Sequence, residues 1–191
     1  MPNRHVVNEI IAAYANAAIE GAYALGGQDA VVDVRNQMVQ VLGFMATNIK
    51  LRLTFDDESL SSEQRKKLAH EVFEGYNPVL VDLLAVMASR ADMTLLRRVR
   101  AEYEELVKTK LNFVIVDVTT VVSLDDNLRT LITNKLTADL GMPVALVEHI
   151  DKSIMGGIIM RAGGRYIDSS VRSQIQNARI VLNENTDGGE C

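Results

Sequence analysis

The stretch from Asp151 to Arg172 leaves the backbone few paths: Asp-Lys-Ser-Ile-Met-Gly-Gly-Ile-Ile-Met-Arg-Ala-Gly-Gly-Arg-Tyr-Ile-Asp-Ser-Ser-Val-Arg. Two glycine pairs bracket a short apolar run, Ile158 to Met160. Gly163-Gly164 supplies the positive φ angles of a tight hairpin turn, and Tyr166 and Ile167 form the returning strand. Asp168 then stands where a carboxylate accepts backbone N–H groups at a helix start. The stretch reads strand, glycine turn, strand, cap, helix.

Upstream, the apolar period is helical. Val7, Ile11, Tyr14, Ala18, Ala22 and Leu25 form one stripe, which Gly26-Gly27 ends. Val31, Val34, Met38, Val41, Met45 and Ile49 form the next, with Asp33, Arg35, Gln37 and Gln40 at its polar positions. A short helical turn fits 49–55. Ser61 to Gln64 matches a capping box, and its helix turns Leu68, Val72 and Phe73 inward. Asn77-Pro78 starts a further helix with Leu80, Leu83, Leu84 and Met87 as its buried face. Asp92 is the expected cap of the next, with Leu95, Val99, Tyr103 and Leu106 inward. On its outer face Arg98–Glu102 and Arg100–Glu104 have the spacing of ion pairs.

At Asn112 the period changes to extended. Phe113 to Val122 is rich in β-branched residues and reads as a strand buried on most of both sides. Asp125 caps a helix carrying Leu128, Leu131, Ile132 and Leu136 on one face and ending at Gly141. Val144 to Ile150 is a second strand. After the glycine stretch a last helix carries Val171, Ile175, Ala178 and Leu182. The predicted fold is therefore α+β in two domains. An all-α helical bundle spans residues 1–108. A small α/β domain with a short mixed sheet and two helices spans 109–182. A disordered polar tail covers 183–191.

Composition narrows the function classes. The 191 residues carry a formal net charge of -5 and are 48% hydrophobic. Nucleic acid is not the expected partner, because phosphate binding needs a concentrated basic face. The 1 cysteine, Cys191, makes an internal disulfide impossible and fits a reducing compartment. No stretch approaches the about 20 apolar residues of a spanning helix, and Met-Pro-Asn-Arg-His has no apolar signal region. The expectation is a protein that meets a membrane only through another protein.

The chemistry-bearing residues are sparse. The 3 histidines, His5, His70 and His149, lack metal-ligand spacing, so no metal or cofactor site is expected. Gly163-Gly164-Arg165 lacks the spacing and the hydroxyl of a phosphate loop, and strand residues follow both glycine pairs where a dinucleotide fingerprint needs a helix. Asp151 and Asp168 admit an acid/base reading; as turn and cap residues they need no such role. Asp117, inside an apolar strand, has no obvious partner. Arg97, Arg98 and Arg100 read as a solvated face. The small residues of the first helix allow close approach of a partner helix or of the chain's own helices.

The pattern Asp151-x-Ser153-x-x-Gly156-Gly157-Ile158-x-x-Arg161-x-Gly163-x-x-x-x-Asp168-x-Ser170-Val171-Arg172 resembles the C-terminal signature of the F-type ATP synthase delta subunit family. The mitochondrial members of that family are the oligomycin-sensitivity-conferring proteins. Tyr14-Ala15 resembles the family's Tyr-Ala pair. Val116-Asp117-Val118 to Leu124 resembles its strand and the leucine that follows. Phe55-Asp56-Asp57 departs from the family's Asn-Pro, and Thr119-Thr120-Val121-Val122 from its Ser-Ala.

The resemblance implies a non-catalytic peripheral-stalk subunit without cofactor, on the cytoplasmic face of a bacterial membrane. Its helical domain would bind the N-termini of the catalytic head's alpha subunits, with Ile11, Tyr14, Ala15, Ala18 and Ala22 as candidate contacts. Its C-terminal domain would bind the b stalk subunits, so that proton flow is coupled to ATP synthesis. The competing reading is a small nucleotide- or metabolite-binding enzyme built on the glycine hairpin.

Overall fold

A computed structural model describes residues 4–57, 59–162 and 164–184, with side chains to Leu182. The chain forms two compact units, Met1–Leu111 and Asn112–Cys191. The boundary expected after residue 108 falls inside a helix that continues to Lys110.

In the first unit, α1 (Arg4–Thr47) is a helical run broken at Gly26-Gly27, where Gly27 has φ 64 and ψ -143. Side chains rarely adopt that conformation, so the run acts as two arms. Then come α2 (Ile49–Phe55), α3 (Ser62–Val72), α4 (Pro78–Ser89) and α5 (Leu96–Lys110). Local chemistry starts two of them. Ser61 and Gln64 exchange side chain-to-backbone hydrogen bonds ahead of α3, and the Asn77 side chain accepts from the Val79 amide ahead of α4. The core lies between α1, α4 and α5, built on Ala15, Ala22, Val31, Met38, Leu84, Val99 and Tyr103. Tyr103 is buried, and its hydroxyl donates to the Val31 carbonyl at 3.0 Å.

Several stripe positions differ from the sequence reading. Leu25 is 58% exposed and Ile49 57%, because each sits where a helix ends and the stripe loses its partner. In α3 the buried residue is Ala69, with Phe73 just beyond the helix, while Leu68 and Val72 are only partly covered. In α5 Val99 and Tyr103 are buried as expected, but at the two ends of the stripe Leu96 and Val107 are buried in place of Leu95 and Leu106, which are half-buried. Arg35, a polar position in the sequence reading, is 4% exposed.

The second unit holds a four-stranded sheet in the order β2-β1-β3-β4. Its strands are β1 (Val114–Thr120), β2 (Val144–Ile150), β3 (Ile158–Ala162) and β4 (Arg165–Asp168), with α6 (Asp126–Leu140) between β1 and β2 and α7 (Val171–Glu184) at the end. β1 runs parallel to β2 and antiparallel to β3, so the sheet is mixed. β1 is interior, which is why it is so apolar. One face of the sheet, with Val114, Val116 and Val118, packs under α6 through Leu136, Ile132 and Leu140. Leu128 and Leu131, expected on that face, are exposed at 48% and 61%. Asn183 and Glu184, expected in the tail, belong to α7; the rest of the expected tail, residues 185–191, lies outside the described residues.

Candidate docking site

The glycine-aspartate signature forms a backbone mount for α7. The Asp151 amide donates to the Thr120 carbonyl at 2.9 Å. Its carboxylate accepts from the Ser153 amide at 2.8 Å, opening a short 3-10 turn that buries Ile154. The chain then passes Gly156 and Gly157, the latter at φ 79. A Cβ on Gly157 would overlap the Ser169 carbonyl oxygen and lie 3.0 Å from Ser170 Cα. Two backbone bonds lock this crossing: Ser169 N–H to Ile158 O at 2.9 Å and Val171 N–H to Gly156 O at 3.0 Å. The hairpin between Ala162 and Arg165 includes Gly164 at φ 84; Gly163 lies outside the described residues. Asp168 Oδ1 accepts from the Ser170 amide at 2.9 Å, and Ser170 Oγ, 2% exposed as a residue, accepts from the Ser173 amide at 3.2 Å. Ser170 is thus the side-chain cap of α7, and Asp168 shapes the turn before it. The Arg161 guanidinium lies 5.6 Å from the centre of the Tyr166 ring.

This geometry sets the chemistry. Hydrogen bonds from Ser153 hold the Asp151 carboxyl below the ordinary carboxylate range, helped by the nearby charge of Arg172. Hydrogen bonds from Ser170 do the same for Asp168. Both stay ionised at neutral pH and accept hydrogen bonds from amides, so neither is poised as a general acid. The space that Gly157 opens is filled by the Ser169–Ser170 backbone, where a phosphate cradle would need it free.

Asp117 has a partner that the sequence did not suggest: His149 Nε2 lies 3.2 Å from Asp117 Oδ1. In register, Asp117 also stands opposite Arg161 on β3. Among the described residues no three His, Cys, Asp or Glu side chains group as a metal site.

On α1 the residues Ile11, Tyr14, Ala15, Ala18 and Ala22 are all buried, from 0% to 7% exposed. Their small side chains serve first to bring the unit's own helices together. Gly21 shows how close: a Cβ there would lie 2.9 Å from Val79 Cγ1. The Tyr14 hydroxyl donates to Asp92 Oδ2 at 2.8 Å. Asp92 therefore makes no side-chain cap before α5, because the buried phenol claims its carboxylate. Arg98 donates to Asn8 Oδ1 at 2.7 Å, a bond from α5 to α1 in place of the expected pair with Glu102. Two surface grooves flank α1. One, toward α4, has Tyr14, Ala17, Ala18, Gly21 and Val86 among its walls. The other, toward α5, has Ile11, Ala12, Arg98 and Ala101. Ile11, Tyr14 and Ala18 thus reach the floors of grooves whose rims are other residues.

The last helix carries its apolar stripe in the open. Val171, Ile175, Ala178 and Leu182 are exposed, as is every residue from Gln174 to Leu182. An amphipathic period shows that a face suits burial; it does not say which molecule covers it. No described helix is long and apolar enough to cross a membrane.

The family model described as "ATP synthase delta (OSCP) subunit" matches residues 10–182. A protein called ATP synthase subunit delta from Rhodopirellula baltica is 31% identical over 163 residues, 85% of this chain and 71% of that protein. One of the same name from Prochlorococcus marinus subsp. pastoris is 26% identical over 181 residues, 94% of this chain and 99% of that protein. A chain of the Toxoplasma gondii mitochondrial ATP synthase hexamer aligns at TM-score 0.49 and 17% identity, covering 90% of this chain and 96% of that one. With its signature turn, its helical unit and its mixed-sheet unit described, the chain belongs to the ATP synthase delta (OSCP) subunit family.

Proposed function

We propose that this chain is a non-catalytic stator subunit in the peripheral stalk of a bacterial F-type ATP synthase. Its helical unit grips N-terminal segments of the head's alpha subunits in the grooves beside α1. Its C-terminal unit holds the ends of the b stalk subunits. The complex places it on the cytoplasmic face of the membrane, and the two grips resist the torque that couples proton flow to ATP synthesis.

The observation that carries this reading is α7. Its apolar positions lie open, Ile175 at 48% and Val181 at 56%, while the polar signature residues Asp151, Asp168 and Ser170 hold backbone amides. Exposed apolar faces of this kind mark interaction surfaces. A holding role needs faces and rigid bodies, and no reacting group.

The test is a pull-down from detergent-solubilised membranes of the source cell with identification of co-purifying subunits. Recovery of alpha and b subunits is expected. In parallel, a synthetic peptide of the alpha N-terminus raises the melting temperature of the helical unit through linkage, while ATP leaves it unchanged. Stabilisation by ATP with no effect of the alpha peptide overturns the reading.

A further inference from the structure

We infer that Asp82 decides which helices the groove between α1 and α4 accepts: its occupant is an amphipathic helix that sets a lysine or arginine against this carboxylate. The inference rests on the reading that the groove holds a segment of the catalytic head, and it names the side chain that selects the segment.

The walls suit a helix. Ala17, Ala18 and Gly21 keep the α1 wall low, and on the α4 wall Val79 and Val86 stand one turn to either side of Asp82. Val86 is 43% exposed. Walls stepped by three and four residues match the apolar stripe of a third helix, and small side chains let its backbone come close. Both walls are helical, so an extended segment would find no strand edge to pair its amides.

Charge selects the flank of that helix. Asp82 is the one charged residue lining this groove among the described residues. The charged groups near its two ends already have partners. Glu20, next to Gly21, lies 3.5 Å from Lys110 Nζ. Arg90, one turn beyond Val86, lies 3.7 Å from Asp92. Among the described residues, no hydrogen bond or ion pair reaches the Asp82 carboxylate. Water solvates it while the groove is open, since Asp82 is exposed. A helix laid in the groove removes part of that water, and a carboxylate that loses water without gaining a cation opposes binding. A basic side chain offsets that cost, a neutral one leaves it, and an acidic one adds repulsion. Asp82 therefore works by exclusion as well as by attraction.

The experiment measures binding of the full chain, by calorimetry, to a synthetic peptide of the host alpha N-terminus and to the same peptide with every Lys and Arg replaced by Glu. Asp82→Asn should weaken binding of the first peptide about fivefold and flatten its salt dependence. Asp82→Lys should weaken it about thirtyfold and bind the Glu-substituted peptide better, reversing the parent's order of preference. Asp139→Asn, the same loss of charge at an exposed site of the other unit, should change nothing. Melting stays parental in all three variants. Unchanged affinity in Asp82→Asn overturns the inference, although the groove reading then survives. So does an Asp82→Lys variant that still prefers the basic peptide, or an equal weakening by Asp139→Asn, which would trace the effect to net charge. No binding of the first peptide by the parent chain sinks the groove reading and the inference together.

Discussion

Arg35 Nε donates to Glu104 Oε1 at 2.8 Å, and the arginine side chain is 5% exposed against 26% for the glutamate. Glu104 also lies 3.7 Å from Arg100. One carboxylate thus faces two guanidinium groups between α1 and α5. Glu104→Ala removes the carboxylate that meets the buried Arg35 Nε and leaves the guanidinium its bond to Asn36. Fully buried pairs lose about 3–5 kcal/mol when one partner is removed. Glu104 keeps some water contact, so about 2–3 kcal/mol is expected in urea unfolding of the helical unit. Replacing Arg35 and Glu104 together with methionine and leucine should cost much less. An additive double mutant would show that the pair is not coupled.

Tyr14 carries a pH signature. Burial, with the hydrogen bond to Asp92, pushes its phenol up to about 12 from 10.0. The folded state holds this proton more tightly than the unfolded state, so the contribution is intact below pH 10 and lost as pH rises toward 12. Tyr103, raised by burial alone, extends the loss to higher pH. Tyr14→Phe should flatten the alkaline limb of the stability curve between those values and cost about 1–2 kcal/mol at pH 7. An unchanged alkaline limb would dismiss the Tyr14–Asp92 bond as the cause.

In acid the C-terminal unit should weaken first through its turn carboxylates. Asp151 is lowered from 3.8 by hydrogen bonds from the Ser153 amide and side chain, Asp168 from 3.8 by those from the Ser170 side chain and amide, and Glu148 from 4.5 by its bond to Arg129. Depressed values mean that their stabilisation is complete above those ordinary values and is lost as pH falls through the folded ones. Asp168→Asn should lower stability at neutral pH and make the acid limb shallower. An acid limb identical to the parent's would contradict this.

Gly157→Val should unfold the C-terminal unit and leave the helical unit's far-UV signal and melting intact. The side chain would need both a positive φ and space held by the Ser169 carbonyl, for a loss of about 3 kcal/mol or more. A variant of parental stability would mean that Ser169–Ser170 can shift aside at little cost.

Ala18, at 1% exposure, is a core residue. A bulky charge there should unfold the helical unit, so it is a poor test of groove binding. Ala17 on the α4 side and Ala101 on the α5 side border the two grooves and are exposed. Ala17→Arg or Ala101→Arg should lower affinity for the alpha N-terminal peptide by about tenfold or more while melting stays parental. Parental affinity in both variants would place the contact elsewhere.

How much of this was legible from residues alone depended on the range of the interaction. The α+β order, the capping box at Ser61, the Asn77-Pro78 start and the turn at Gly164 are local, and periodicity with turn chemistry finds them. Arg35 was read as outward because its partner, Glu104, lies 69 residues away, and no local rule reports such a pair. Asp92 looked like a cap because aspartate before a helix usually is one; a buried phenol from α1 claimed it instead. His149 and Asp117 meet through parallel pairing of strands separated by a helix, a register that sequence spacing does not encode. Val171 and Ile175 have the pattern of core residues, and pattern alone cannot tell a core from a surface kept for another chain.

β1 follows α5 after only Leu111, Asn112 and Phe113, and it is hydrogen-bonded to a neighbour along each edge. Tension passed down the polypeptide from the helical unit thus enters the sheet through an interior strand. To extract that strand, ladders on two sides must shear together, whereas an outer strand peels one bond at a time. The second unit receives the pull at a point where rupture is cooperative, so sustained load should stretch the short connector long before it unravels the sheet.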